Sequence, residues 1–231
     1  DLKDVNDISD QIPHIVKVNP AGTHFIVDIY EAGGLSAVLK RLDSYGYIDT
    51  SVMTATGKTM AENIADTVIL SDDVIRTKET AYSQTGGLAV LWGNICPDGA
   101  VVKRGAVLPN MLVHEGPAKC FDSEEECIEG LMAGKVVPGD VVVVRYEGPK
   151  GGPGMREMLS SGGLLRLIQD GDIISIDIPN HSLQLKVSDE EIAKREAEFV
   201  PHKLKEVSSF LKRYRSIVSS ASEGAILKVE E

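Results

Sequence analysis

The densest concentration of residues able to do chemistry lies at 141–159. There Val141-Val142-Val143-Val144 runs through Arg145-Tyr146-Glu147 into Gly148-Pro149-Lys150-Gly151-Gly152-Pro153-Gly154 and on to Met155-Arg156-Glu157-Met158-Leu159. Glycine permits positive φ and a close approach of the backbone to another group, and successive free amides in such a stretch can form a nest for an anion. A helix starting after Gly154 would aim further unpaired N–H groups at the same place. Pro149 and Pro153 stiffen the stretch, so flexibility alone does not account for the glycines. A merely tight connection is the competing reading, and composition barely separates the two.

Glu157 falls in the expected first turn of that helix. An acid there complements the helix dipole, and it is also the kind of oxygen ligand Mg²⁺ takes alongside substrate and water. The residues by themselves favour the dipole role. Glu147 and Arg145 flank the stretch as weaker candidates and read equally well as a solvated strand end. Nucleotide loops are excluded on spacing. After Gly152-Pro153-Gly154 the third glycine of a dinucleotide fingerprint is missing, and Lys150 is followed by Gly151 rather than Ser or Thr. Gly57-Lys58-Thr59 also fails, because Val52 stands where a phosphate loop needs glycine.

Other reactive side chains read as structural. His14, His24, His114, His181 and His202 have no pair at metal-ligand spacing, and Cys96, Cys120 and Cys127 lack it too. Cys127 lies on an apolar helix face, and Cys96 and Cys120 sit beside turns with no histidine-rich neighbourhood to lower their pKa. The acidic run Asp122 to Glu126 reads as a helix N-terminus in water, and Trp92 as core or domain contact.

These candidates must be positioned by two kinds of architecture. Residues 1–20 are polar with a weak period broken by Pro13 and Pro20, an unpromising start for a fold. A helix is then expected around Leu35, Val38, Leu39 and Leu42, ended by Gly46, and another behind the Thr59/Glu62 capping box with Met60 and Ile64 as contacts. Beyond about residue 82, taken as a domain boundary, the pattern turns to strands. Pro97-Asp98-Gly99, Pro138-Gly139-Asp140 and Asp170-Gly171-Asp172 each read as a turn feeding a β-branched run. Ile174, Ile176 and Ile178 alternate with Ser175 and Asp177, and Leu183, Leu185 and Val187 with Gln184 and Lys186, which is a hairpin with one wet face. Helices are expected behind Ser123/Glu126 (Cys127, Ile128, Leu131 and Met132 apolar, Gly134 beyond the end) and behind Ser188/Glu191 (through Phe199, with Ile192 and Ala193 packed). A last amphipathic helix spans 206–218, and the tail from Ser219 is expected to be loosely held. The fold class is α+β: a β-rich, barrel-like domain over 83–231 with peripheral helices, preceded by a helical segment over 1–82.

The chain has 231 residues, 42% hydrophobic and 26% charged, with 24 basic against 35 acidic side chains and a net charge of −11. That balance argues against non-specific binding to nucleic acid or an anionic membrane, both of which need a basic surface. No apolar run approaches the roughly 20 residues of a membrane helix, and the first residues lack the features of a signal peptide. An odd number of cysteines points to a reduced, cytoplasmic thiol pool.

The stretch Arg145 to Leu159 resembles the signature of the dihydroxy-acid/6-phosphogluconate dehydratase family. The resemblance continues in Glu31-Ala32-Gly33-Gly34, Thr56 to Asn63, Gly86 to Leu91, Gly93-Asn94 and Pro97 to Lys103. It also takes in Phe121 to Glu125, Asp170 to Asn180 and Ser219 to Ala225. It covers nearly the whole chain, and the signature and tail look more like the branched-chain amino-acid enzyme than the sugar-acid members. The resemblance implies a swivelling β/β/α C-terminal domain behind the tail end (residues 1–82) of a cluster-binding N-terminal domain. The activity it implies is that of a hydro-lyase acting on 2,3-dihydroxy acids, with Mg²⁺, an iron–sulfur cluster (2Fe–2S or 4Fe–4S) and a homodimer. Glu157 matches the family's magnesium ligand, which reverses the reading from the residues alone. Gly148, Lys150, Gly151, Gly152 and Gly154 are the expected wall of the substrate site. The cluster ligands belong to a part of the family that precedes Asp1, so Cys96, Cys120 and Cys127 do not inherit that role.

After Leu159 the family continues into an Asp-Gly-Arg-Phe-Ser-Gly segment whose serine is the base. Here Ser160-Ser161-Gly162-Gly163 passes directly towards Asp170. The catalytic serine has no counterpart, neither Ser160 nor Ser161 replaces it, and the chain alone is expected to be inactive. A fragment, an internal deletion or an unobserved segment between Ser160 and Ser161 would account for this; the last is favoured, with poor proximity across the junction. A sugar-acid dehydratase and a non-catalytic, carboxylate-binding barrel are the alternatives. A domain cut from its partner should also expose an apolar patch near residues 20–45, able to drive self-association.

Overall fold

A computed structural model describes residues 2–151, 163–201, 206–220 and 223–228. The chain divides into two compact units, one of residues 1–90 and 101–108, the other of 91–100 and 109–231.

The first unit carries helices α1 (Leu2–Ser9), α2 (Ile26–Glu31), α3 (Gly34–Asp43) and α4 (Met60–Ile64). Its core gathers Ile15, Ala32, Ala37 and Ile75, with Val38 and Leu42 packed on it. The Thr59/Glu62 capping box is formed in full: the Thr59 hydroxyl accepts from the Glu62 amide at 3.2 Å, and the Glu62 carboxylate accepts from the Thr59 amide at 2.7 Å. Helix α3 stops at Asp43, and Gly46 just beyond takes φ 72°, a conformation that costs a side-chain-bearing residue more.

One expectation for this unit is corrected. The polar opening is a helix whose buried Asn6 side chain donates to the Val90 carbonyl at 2.9 Å and accepts from the Val90 amide at 2.7 Å. A contact across 84 positions stabilises it, which no local period could signal. Leu35, one of the four apolar positions that marked α3, is 72% exposed. Phe25, Ile26, Val27 and Tyr30 are exposed as well, within the range where an apolar patch is expected.

The strands form a six-stranded mixed sheet of β1 (Ala89–Gly93), β2 (Cys96–Val102), β3 (Val113–Phe121), β4 (Val141–Val144), β5 (Ile173–Asp177) and β6 (Ser182–Leu185), in the order β2-β1-β6-β5-β3-β4. The expected hairpin is β5–β6, in register Ile174↔Leu185 and Ile176↔Leu183. Ile174 and Leu185 join Ile95, Ala118, Val143 and Ile168 in the core. Strand β3 was not anticipated. Its first part pairs antiparallel with β5 (Val113 to Pro117) and its second part parallel with β4 (Ala118 to Phe121). Pro117, which has no amide to donate, sits where one partnership gives way to the other. The first of the three turn motifs is also placed differently. Pro97-Asp98-Gly99 lies inside β2, an edge strand, where a missing donor and a positive φ are tolerated.

Around the sheet lie α5 (Glu124–Met132), α6 (Gly148–Gly151), α7 (Asp189–Glu198) and α8 (Ser209–Ile217). Ser123, Ser188 and Ser208 each cap a helix by accepting the amide three positions on. On α5 Cys127 is buried as expected, but Ile128, Leu131 and Met132 are exposed. The packed position is instead Gly130, where an added Cβ would come within 2.3 Å of the Phe121 ring. On α7 Ile192 packs on the core while Ala193 is exposed. Phe210 of α8 is exposed, and the start of the tail is held: Ser219 is buried, its hydroxyl accepting from the Ile226 amide at 3.0 Å. Among the described residues no helix is long and apolar enough to cross a membrane.

Candidate functional site

The four valines of β4 lead straight to the candidate stretch, and the chain turns sharply as it leaves the sheet. Tyr146 adopts φ 59° and Gly148 φ 89°. A left-handed tyrosine is an outlier that costs roughly 1–3 kcal/mol and persists only where its surroundings over-determine it. The tyrosine hydroxyl is pushed above its ordinary pKa range by burial. Gly148-Pro149-Lys150-Gly151 forms a single helical turn that lies against α8. Gly148 and Pro149 are buried. Gly152, Gly154, Glu157 and the Ser160–Ser161 junction lie outside the described residues.

The flanking residues are not a solvated strand end. Glu147 is fully buried, and one carboxylate oxygen accepts the Glu124 amide at the start of α5, at 3.2 Å. Asp122, read as solvated, pairs with Arg145: the guanidinium Nε donates to Asp122 Oδ1 at 2.7 Å, and Nη2 stands 2.5 Å from the same oxygen. On the far side of the stretch a 3₁₀ turn (Gly163–Leu167) leads into buried Leu167 and Ile168. Arg145 Nη1 donates to the Ile168 carbonyl at 2.7 Å. Arg195 of α7 donates to the Leu167 carbonyl at 3.1 Å and to both Asp172 oxygens at 2.5 and 3.0 Å. Sequence reading missed this polar frame because its partners are 23 to 28 positions apart, beyond any helical or strand period.

The cysteines do not form a cluster site. Cys96 opens β2, Cys120 lies in β3 and Cys127 in α5. Burial pushes the Cys96 and Cys120 thiols up to about 11, and Cys127 also upward. An iron–sulfur cluster is held by thiolates converging on it, so these residues do not fit one. Among the described residues no three His, Cys, Asp or Glu side chains are gathered as metal ligands. At pH 8 native Cys96 and Cys120 are expected to react with iodoacetamide about 100-fold more slowly than in denaturant, a difference that site-resolved mass spectrometry would read. Because the folded state holds these protons more tightly, stability is expected to fall as pH rises from about 9 to about 11, checked by denaturant melts across that window.

The first unit holds a cleft of about 250 Å³ among His14, Lys17, Leu88 and Lys103. Burial keeps the His14 imidazole below its ordinary range.

Comparison with known proteins decides the family. The family model described as dihydroxy-acid/6-phosphogluconate dehydratase C-terminal matches residues 73–161 and 160–225, and the corresponding N-terminal model matches residues 1–63. The chain belongs to the dihydroxy-acid/6-phosphogluconate dehydratase family. Its relatives include the dihydroxy-acid dehydratase of Lachnospira eligens, 48% identical over 267 residues, covering 99% of this chain and 48% of that protein. Those of Caldanaerobacter subterraneus subsp. tengcongensis (46%; 98% and 48% covered) and Moorella thermoacetica (43%; 99% and 48% covered) are similar. The chain thus spans about half the length of the curated relatives it matches. The dehydratase C-terminal match is in two pieces that meet at residues 160–161. The alignment with the L. eligens dehydratase runs over 267 positions against the 231 residues of this chain. That relative therefore carries residues opposite which this chain has none.

Proposed function

We propose that this chain supplies the C-terminal part of a cytoplasmic, homodimeric dihydroxy-acid dehydratase, a hydro-lyase of branched-chain amino-acid biosynthesis. Residues 1–82 would be the tail end of its N-terminal domain and 83–231 its swivelling β/β/α domain. The observation that carries the reading is 43–48% identity, over nearly the whole chain, to proteins named dihydroxy-acid dehydratase. In that reaction the C2 proton is removed and the 3-hydroxyl leaves as water, giving an enol that tautomerises to the 2-keto acid. Mg²⁺ and an iron–sulfur cluster, when bound, would supply Lewis acidity for the substrate oxygens. In this chain Glu157 would be the magnesium ligand. The backbone of Gly148, Gly151, Gly152 and Gly154, with Lys150, would face the substrate carboxylate. The cluster ligands and the serine base would come from outside the 231 residues, so the chain alone does not turn over substrate.

The test is an anaerobic assay on 2,3-dihydroxyisovalerate, with this chain joined to the N-terminal part of a dehydratase and the family's segment restored between Ser160 and Ser161. Formation of 2-ketoisovalerate is expected, and Glu157→Gln is expected to lower kcat/KM at least about 100-fold. No product from a protein with an intact cluster would overturn the reading. Faster turnover of gluconate or 6-phosphogluconate would move it to the sugar-acid branch.

The alternative for the chain as it stands is a non-catalytic module that binds a small carboxylate, supported by the two-piece match, which leaves no counterpart for the serine-bearing segment at 160–161. Calorimetric titration with Mg²⁺ and 2-ketoisovalerate separates the two. Binding that survives Glu157→Gln but not changes at Gly148–Gly154 supports the module.

A further inference from the structure

From the geometry around Arg145 we infer that this residue is a positioning residue, stapling together the two ends of the 146–167 stretch that carries Gly148, Lys150 and Glu157. Arg145 is the first residue beyond β4, and its amide donates to the Phe121 carbonyl at 2.8 Å, so its backbone prolongs the β3–β4 ladder. Its guanidinium is used on two sides. One side, Nε and Nη2, grips Asp122 Oδ1 at 2.7 and 2.5 Å; the other, Nη1, reaches across to the Ile168 carbonyl at 2.7 Å. A planar guanidinium held by a carboxylate on one edge presents its remaining donors in a fixed direction, which an ammonium does not.

The far end is a firm anchor. Ile168 is fully buried in the core with Ala118, Val143 and Ile174, and the neighbouring Leu167 carbonyl is held by Arg195. The stretch therefore leaves and re-enters the sheet at one fixed neck. The break in the family match, at residues 160–161, falls between the two stapled ends. Length can vary there while Arg145, Asp122 and Ile168 keep their places, because lengthening a loop whose ends are already joined changes its entropy only slowly. The staple itself stands on geometry alone; that it serves Glu157 rests on the dehydratase reading.

Thermolysin cleavage of the 231-residue chain under native conditions, mapped by mass spectrometry, tests the staple. Arg145→Ala is expected to accelerate cleavage within 146–167 about tenfold and to leave the remaining sites unchanged. Guanidinium ion at about 20 mM, which can occupy the space left by the side chain, is expected to restore most of the protection, and sodium at the same concentration is not. Asp122→Asn, which keeps the arginine but loosens its orientation, should give a smaller rise at the same sites and keeps the test open should Arg145→Ala fail to fold. Cleavage in the stretch at the unmodified rate would overturn the staple. So would acceleration spread evenly over the chain with no response to guanidinium. Neither readout needs metal or substrate, so the dehydratase reading stands or falls separately on its turnover assay.

Discussion

Gly93→Ala is expected to destabilise the second unit by about 3–5 kcal/mol. A Cβ on Gly93 would lie 1.6 Å from the Leu183 carbonyl oxygen and 2.6 Å from its carbon. Both are backbone atoms of the neighbouring strand, so no rotamer change relieves the contact and β1 must move away from β6. That movement strains the Trp92 amide's bond to His181 (2.9 Å) and the paired bonds between the Asn94 side chain and the Leu185 backbone, both 2.8 Å. Each is worth about 1 kcal/mol. Trp92, the single tryptophan of the chain, stands next to the substitution, so its fluorescence in a guanidinium titration reports this unit directly. A midpoint shift worth less than about 0.5 kcal/mol would show that β1 and β6 do not approach as described.

The second large effect is expected at Arg195. Its guanidinium and the Asp172 carboxylate are only 13% and 10% exposed, and the contact is bidentate. Glu191, one helical turn earlier on α7, accepts from Nε at 2.9 Å. Removing one partner of such a pair strands the other charge away from water, so Arg195→Met is expected to cost about 3 kcal/mol. Asp172→Asn should cost less, because an amide still accepts the Gln169 amide bond that shapes the turn before β5. A double-mutant cycle should return a coupling of about 2 kcal/mol. Additive losses would mean that the two side chains act independently, and the contact would then be a surface ion pair of little consequence.

Legibility followed the range of the interaction. The β5–β6 hairpin could be read because isoleucines and leucines alternate with polar residues, and the caps at Thr59, Ser123 and Ser188 because their partners lie three positions on. Strand β3 could not, since Gly116 and Pro117 erase the alternation at the point where its pairing changes from β5 to β4. Helix α1 owes its place to Asn6 gripping Val90, and α5 packs through a glycine while its larger apolar side chains face water. At the candidate site the glycine-rich stretch was visible in composition. The burial of Glu147 and the frame of Arg145, Asp122 and Arg195 were not, because charged residues near a strand end read as solvated until their tertiary partners are known.

The divided pairing of β3 means that its two flanks are completed by segments from different parts of the chain, β4 before β5. Strand β4 precedes β5 along the chain, so the parallel β3–β4 pair, with α5 as its connection, can form during synthesis while the opposite flank of β3 still waits for its neighbour. For that interval the nascent chain carries an open edge from Val113 to Pro117. Translation pauses between residues 145 and 173 would lengthen that window and raise the yield of misassembled product.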